Sequence, residues 1–297
     1  MTLIVATFYK FVRLPDFAEK QAPLFAYCQQ QDIKGTILLA AEGINGTIVG
    51  STQAVDSVLA FLRQDSRLAD LQHQESSAQE SPFDRLKVKL KKEIVTLGKP
   101  EVDPNVRVGT YVSPKEWNAL ISDPEVVVID TRNTYEVDIG TFKGAQNPQT
   151  SSFRQFPEYV EKHLDPSQHK KVAMFCTGGI RCEKASSFML SKGFQEVYHL
   201  QGGILKYLEE VPEEENLWQG ECFVFDERVA IKEGLAAGSH DSCLSCGHPI
   251  SEEDKDSSYY QEGISCLYCF ESLTPEKKAR QQEKQRQLEL ERKKSKG

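Results

Sequence analysis

No apolar run in this chain approaches the roughly 18 residues that a membrane-spanning helix needs. Hydrophobic residues make up 39% and the mean hydropathy is −0.47, so a soluble protein with no membrane partner is expected. The N-terminus, Met1-Thr2-Leu3-Ile4-Val5-Ala6-Thr7-Phe8-Tyr9-Lys10, lacks the basic n-region of a secretory signal and reads as a strand. There is no internal repeat, no dinucleotide-binding fingerprint and no two-His-one-carboxylate spacing, so nothing points to a nicotinamide cofactor or a non-haem iron centre. No motif names an electron donor or an oligomeric state. Eight cysteines without a signal point to metal binding or catalysis in a reducing compartment, so the cytoplasm is expected. At 297 residues, two or three domains of about 150 residues fit.

The net charge of −8 argues at first against a nucleic-acid partner, but its distribution is uneven. Residues 276–297 hold nine Lys/Arg and four Glu, so this tail carries +5 and the remainder −13. A second basic element is Arg85, Lys87, Lys89 and Lys91, alternating with Leu86, Val88 and Leu90. Period-two alternation puts those four cations on one face of a strand. They are either a solvated face or a stripe for phosphates. The tail is either a polar appendage or an RNA-binding arm.

The densest chemistry lies at Cys176-Thr177-Gly178-Gly179-Ile180-Arg181. The apolar run Lys171-Val172-Ala173-Met174-Phe175 before it reads as a buried strand, and Cys182 to Leu190 after it reads as a helix. A cysteine between a strand end, a Gly-rich turn and a helix N-terminus sits in an anion cradle. Its thiol should ionise easily, which makes Cys176 the candidate nucleophile. The loop resembles that of the rhodanese sulfurtransferases, whose ring is one residue shorter than the phosphate loop of cysteine phosphatases. Val126-Val127-Val128-Ile129-Asp130-Thr131-Arg132, the Gly140-Thr141-Phe142-Lys143-Gly144-Ala145 turn and Leu200-Gln201-Gly202-Gly203-Ile204 follow the order of a rhodanese domain. Asp130 and Arg132 are expected to brace its loops by salt bridging. Arg181 either binds an anion such as a phosphate or a sulfur anion, or braces the loop. Cys182 is either a resolving partner for Cys176 or a buried helix residue, His199 either assists or packs, and Cys28 and Cys222 read as core.

Four segments emerge. Residues 1–98 read as a ferredoxin-like βαββαβ domain, with a helix from 15 to 31 carrying Phe17, Leu24, Phe25 and Cys28 on one face. In this reading Glu42-Gly43 and Asn45-Gly46 are turns, 64–82 is a loop, and the basic strand 84–95 closes the sheet. A linker at 98–106 leads to an α/β domain with a parallel sheet at 105–216. Residues 217–273 hold an extended segment and a cysteine module, and 274–297 form the basic tail. In the module, Cys243-Leu244-Ser245-Cys246 precedes Cys266-Leu267-Tyr268-Cys269 by 19 residues. Two such knuckles indicate a tetrahedral, structural Zn²⁺ site, with a redox pair or two disulfides as the alternative.

The whole chain resembles the rhodanese-related tRNA uridine hydroxylases. The resemblance rests on Gly35-Thr36-Ile37-Leu38-Leu39-Ala40, Glu42-Gly43-Ile44-Asn45-Gly46-Thr47, the loop from Cys176 to Lys184, and Gly220-Glu221-Cys222-Phe223-Val224-Phe225-Asp226. It implies oxygen-dependent hydroxylation of the wobble uridine to 5-hydroxyuridine, with molecular oxygen as co-substrate and the tRNA anticodon region as partner. It carries Cys176 over as the active cysteine, persulfide-forming by analogy with the sulfurtransferases. Plain sulfur transfer and a non-enzymatic RNA-binding role are the competing functions.

Overall fold

The computed structural model describes residues 2–294 of the chain. Contacts divide it into two units. The first runs to Cys222 and includes Glu233–Leu235; the second holds Phe223–Lys232 and the chain from Ala236 onward. The first unit contains both an N-terminal α+β domain and an α/β domain.

The N-terminal domain comprises β1 (Leu3–Phe11), α1 (Phe17–Gln30), β2 (Lys34–Ala40), β3 (Gly43–Gly50), α2 (Thr52–Arg63), β4 (His73–Ala78) and β5 (Leu86–Leu90). The strand order is β4-β1-β3-β2-β5. Alternate residues of the strands, Ala6 and Phe8, Ile37 and Leu39, Ile44 and Ile48, pack on Leu24 and Cys28 of α1 and on Val55, Val58, Leu59 and Leu62 of α2. Phe25, expected on the inner face of α1, is 38% exposed instead, because Leu24 and Cys28 define a stripe that leaves it to one side.

Three local expectations are corrected. Residues 64–82 are not all loop: β4 pairs antiparallel with β1 and closes the βαββαβ unit. Its sequence, His-Gln-Glu-Ser-Ser-Ala, has no apolar alternation, because an edge strand can be held by backbone pairing alone. The basic strand is shorter than expected and is an added edge, parallel to β2. Asn45-Gly46 is no turn; it lies inside β3. Asn45 Nδ2 donates to the Ile94 carbonyl at 3.0 Å, and a Cβ on Gly46 would stand 2.8 Å from the Phe8 ring.

The α/β domain comprises β6 (Thr110–Val112), α3 (Pro114–Ile121), β7 (Val126–Asp130), α4 (Thr134–Val137), β8 (Gly140–Phe142), α5 (Phe156–His163), β9 (Lys171–Phe175), α6 (Ile180–Ser191), β10 (Glu196–Leu200), α7 (Gly203–Glu210) and β11 (Trp218–Gly220). Its parallel sheet has the order β6-β10-β9-β7. β9 is central and buried on both faces, which is why its sequence is a continuous apolar run. The linker is not free: Val102 within it, like Leu97 just before it, is buried in this domain's core. The chain past 216 also stays with the domain, since β11 pairs with β8 and Trp218 packs edge-on against Phe142 and Phe175.

In the second unit, Asp241–Ser242 pairs with Pro249–Ile250 beside the cysteine knuckles. Pro275–Lys294 is helical. The side chains of the tail's basic residues 292–294, and all of 296, lie outside the described residues. No helix among the described residues is long and apolar enough to cross a membrane.

Candidate active site

Cys176 follows the C-terminal end of β9, where open α/β sheets place their ligand sites. Thr177, Gly178 and Gly179 turn the chain into α6, which starts at Ile180. Gly179 has φ +96°, a left-handed conformation that a side chain would strain. The neighbouring Gly202-Gly203 turn fits beneath this loop. Ile204 N–H and Leu205 N–H donate to the carbonyls of Cys176 and Thr177 at 3.0 Å each. A Cβ on Gly203 would lie 2.5 Å from both carbonyl oxygens, so only glycine allows this approach.

Cys176 is 1% exposed and accepts a hydrogen bond from Gly179 N–H at 3.2 Å. Burial works against its thiolate. The Cys182 thiol, the Arg181 charge and the backbone N–H groups of Cys182 and Arg181 overcome that, bringing the pKa down to about 6. Cys182 itself is pushed well above the ordinary thiol range by burial and by the Cys176 sulfur, so it stays protonated as the donor. Alkylation of Cys176 by iodoacetamide should therefore rise with a midpoint near pH 6. A free thiol gives about 8.5. Removing the donor by Cys182→Ala should move the midpoint upward, and peptide mass spectrometry reads both. A wild-type midpoint above pH 8 contradicts the thiolate.

A buried ionic frame stands behind the loop. Arg181 donates both terminal nitrogens to Glu136, at 2.8 and 2.6 Å. Arg132 pairs with Asp130 at 2.9 and 2.6 Å and donates to the carbonyls of Glu136 and Gly140. Asp130, Arg132 and Glu136 are each 0% exposed, and burial is tolerable because every charge has partners. Arg181 thus holds the loop to Glu136 while lending positive charge to Cys176. Cys222 lies under the loop, hydrogen-bonded to Thr177, and burial pushes its thiol up to about 12. His199 is 1% exposed, with Nε2 3.3 Å from the Gly109 carbonyl. Burial lowers its pKa to about 4, so at neutral pH it is an uncharged packed residue.

The N-terminal domain docks on this loop through contacts that sequence reasoning did not assign. Ile180 packs against Phe11, Ala40 and Ile94. Tyr9 donates to Glu183 Oε1 at 2.9 Å. Lys184, 1% exposed, lies between Glu42 at 2.8 Å and Glu93 at 2.5 Å. Gln74 donates to the Gly202 carbonyl at 2.9 Å. So the loop signature divides in two: Cys176, the glycines and Arg181 build the anion cradle, while Ile180, Glu183 and Lys184 carry the other domain.

Elsewhere, β5 spans only 86–90, so Arg85 and Lys91 flank it. Arg85, Lys89 and Lys91 are exposed and Lys87 is half-buried. In the second unit the sulfurs of Cys243, Cys246, Cys266 and Cys269 all lie within 4.8 Å of one another, a cluster that could bind a metal.

A family model described as the UPF0176 acylphosphatase-like domain matches residues 3–94, and the rhodanese-like domain model matches 113–210. The rhodanese-like domain of an Anabaena protein resembles this chain with a TM-score of 0.30 and 16% identity, covering 37% of this chain and 78% of its own. A rhodanese-related protein from Thermoplasma volcanium gives 0.27 and 20%, covering 34% and 92%. A curated protein of Picosynechococcus named tRNA uridine(34) hydroxylase is 62% identical over 277 residues, 93% of each chain. One of the same name from Teredinibacter turnerae is 60% identical over 287 residues, 97% of this chain and 89% of its own. With such identity over nearly its whole length, the chain belongs to the tRNA uridine(34) hydroxylase family.

Proposed function

We propose that this protein is an oxidoreductase that hydroxylates carbon 5 of the wobble uridine in the anticodon region of tRNA, with Cys176 as nucleophile. The observation that carries this reading is the position of Cys176 in a glycine turn at the N-terminus of α6, its sulfur accepting from Gly179 N–H, in a loop that also seats the N-terminal domain. The thiolate adds to carbon 6 of uracil, and the ring electrons move onto carbon 5 and O4 as an enolate. Carbon 5 then takes one oxygen atom of O₂. The other atom leaves as water, which requires two electrons and two protons from an external reductant. Loss of the carbon-5 proton expels the thiolate and restores the ring. Backbone N–H groups of 177–181 and the N-terminus of α6 favour the anionic states.

Arg85, Lys87, Lys89 and Lys91 are assigned to phosphate contacts, with three of the four exposed in support. The four-cysteine cluster fits Zn²⁺. A tetrahedron with Zn–S of about 2.3 Å has S–S edges of about 3.8 Å. Cys246–Cys266 and Cys266–Cys269 are 3.7 and 3.8 Å apart. Four cysteines close the shell, so the ion would hold the module's fold and leave no open position. Plain sulfur transfer would use the same loop but has no need of the docked N-terminal domain.

The test is nucleoside mass spectrometry of total tRNA from cells lacking the protein. Loss of 5-hydroxyuridine and its derivatives, restored by the wild-type gene, is expected. Unchanged tRNA would sink the reading.

A further inference from the structure

Most charged groups around the Cys176 loop are already paired among themselves. Arg181 is held on Glu136, Arg132 on Asp130, and Lys184 by Glu42 and Glu93. His199 is buried against the Gly109 carbonyl. Glu183 differs. It is half-buried, and the groups that hydrogen-bond its carboxylate are the phenols of Tyr9 and Tyr111. No cation pairs with it among the described residues. A half-buried carboxylate without a counter-ion is costly to keep. Burial raises the Glu183 pKa and the two phenols partly offset that. In the ionised form the two oxygens offer about four lone-pair sites, so acceptor capacity remains after two phenols are satisfied.

Its position makes that capacity useful. The Tyr9 hydroxyl, which orients Glu183, lies 2.9 Å from where a Cβ on Gly179 would stand, and Gly179 N–H donates to the Cys176 sulfur. Tyr111 is 45% exposed and packs against His199 with ring centroids 4.2 Å apart and the rings tilted by 51°, so this side of the cluster opens outward. In uracil, the N3–H lies across the ring from carbon 6. A thiolate addressing carbon 6 and a carboxylate facing N3 therefore bracket one pyrimidine. Cytosine presents a lone pair at N3, and a carboxylate facing it has no proton to share.

We propose that Glu183, oriented by Tyr9 of the N-terminal domain and by Tyr111, reads the N3–H of the target base and so selects uridine over cytidine. The assignment rests on the proposed RNA substrate. It also gives the domain docking a purpose, because Tyr9 belongs to one domain and Glu183 to the other.

The test is the affinity of the full-length protein for three synthetic anticodon-arm hairpins by fluorescence anisotropy. They carry uridine, cytidine or 3-methyluridine at the wobble position. Wild type should bind the uridine hairpin roughly 10-fold or more tighter than the other two, the scale of a hydrogen bond to a charged group. Glu183→Ala should bring the uridine and 3-methyluridine affinities within about threefold of each other, because it removes the acceptor and makes room for the methyl group. Tyr9→Phe, which keeps the ring and loses one hydroxyl, should narrow the ratio partway and guards against a misfolded Glu183 variant. A wild type that binds no hairpin overturns both this assignment and the tRNA reading. A wild type that prefers uridine, with the ratio unchanged in Glu183→Ala and Tyr9→Phe, overturns the assignment alone.

Discussion

Complementing the deletion strain with Cys176→Ser should restore none of the 5-hydroxyuridine that the wild-type gene restores. Serine keeps the shape of the side chain and the hydrogen bond from Gly179 N–H. It does not keep the ionisation. The environment brings a thiol to a pKa of about 6, so most of Cys176 is thiolate at pH 7. The same environment acting on an alcohol starts far higher and leaves it protonated. Loss of a nucleophile typically costs several orders of magnitude, and tRNA from the rescued cells should match that of the empty-vector strain. Because serine fits the site, the protein should fold and dock its domains as before. Full restoration by Cys176→Ser would end the covalent scheme.

Lys184→Ala should be the most damaging substitution outside the chemistry. Its ammonium is 1% exposed between two carboxylates that also accept backbone N–H groups, Glu42 from Ile94 and Glu93 from Leu97 and Gly98. Removing one member of a buried ionic cluster leaves the others uncompensated and costs about 3–5 kcal/mol. Here two acids would face each other at the domain junction. The N-terminal domain should then loosen, exposing residues 98–106 to proteolysis and withdrawing Tyr9 from Glu183. Urea denaturation and limited proteolysis measure the two effects. The triple variant Lys184→Met, Glu42→Gln, Glu93→Gln should recover most of the stability, because the penalty arises from unpaired charge. A single variant as stable and as protease-resistant as wild type would mean that the junction is held by Ile180 and its apolar neighbours instead.

The sequence was most readable where chemistry is local. Cys176, its glycines and the start of α6 sit within a few positions of each other, and so do the cysteines of each knuckle. Such spacing encodes geometry directly through strand, turn and helix. The Asp130–Arg132 pair was legible for the same reason. What it hid were pairings between distant segments. Tyr9 and Glu183 lie 174 positions apart and Glu42 and Lys184 are on different domains, so no periodicity links them. Glu183 and Lys184 were visible as part of a narrow loop signature, but a motif does not say which of its residues do chemistry and which carry a neighbouring domain. Polar β4 failed for another reason: an edge strand held by backbone pairing needs no apolar pattern. Asn45-Gly46 misled because the same two residues serve a turn or a tight sheet contact equally well.

The central claim is that the Cys176 thiolate adds to carbon 6 of a tRNA uridine. The most direct measurement uses an anticodon-arm hairpin with 5-fluorouridine at the wobble position, incubated with the full-length protein and analysed by intact mass spectrometry under denaturing conditions. Fluorine blocks the loss of a proton from carbon 5, so an adduct should accumulate at one RNA per chain and map to the peptide holding Cys176. Cys176→Ser should give none. A wild-type preparation that hydroxylates the uridine hairpin but forms no adduct with its fluorinated counterpart would contradict the account.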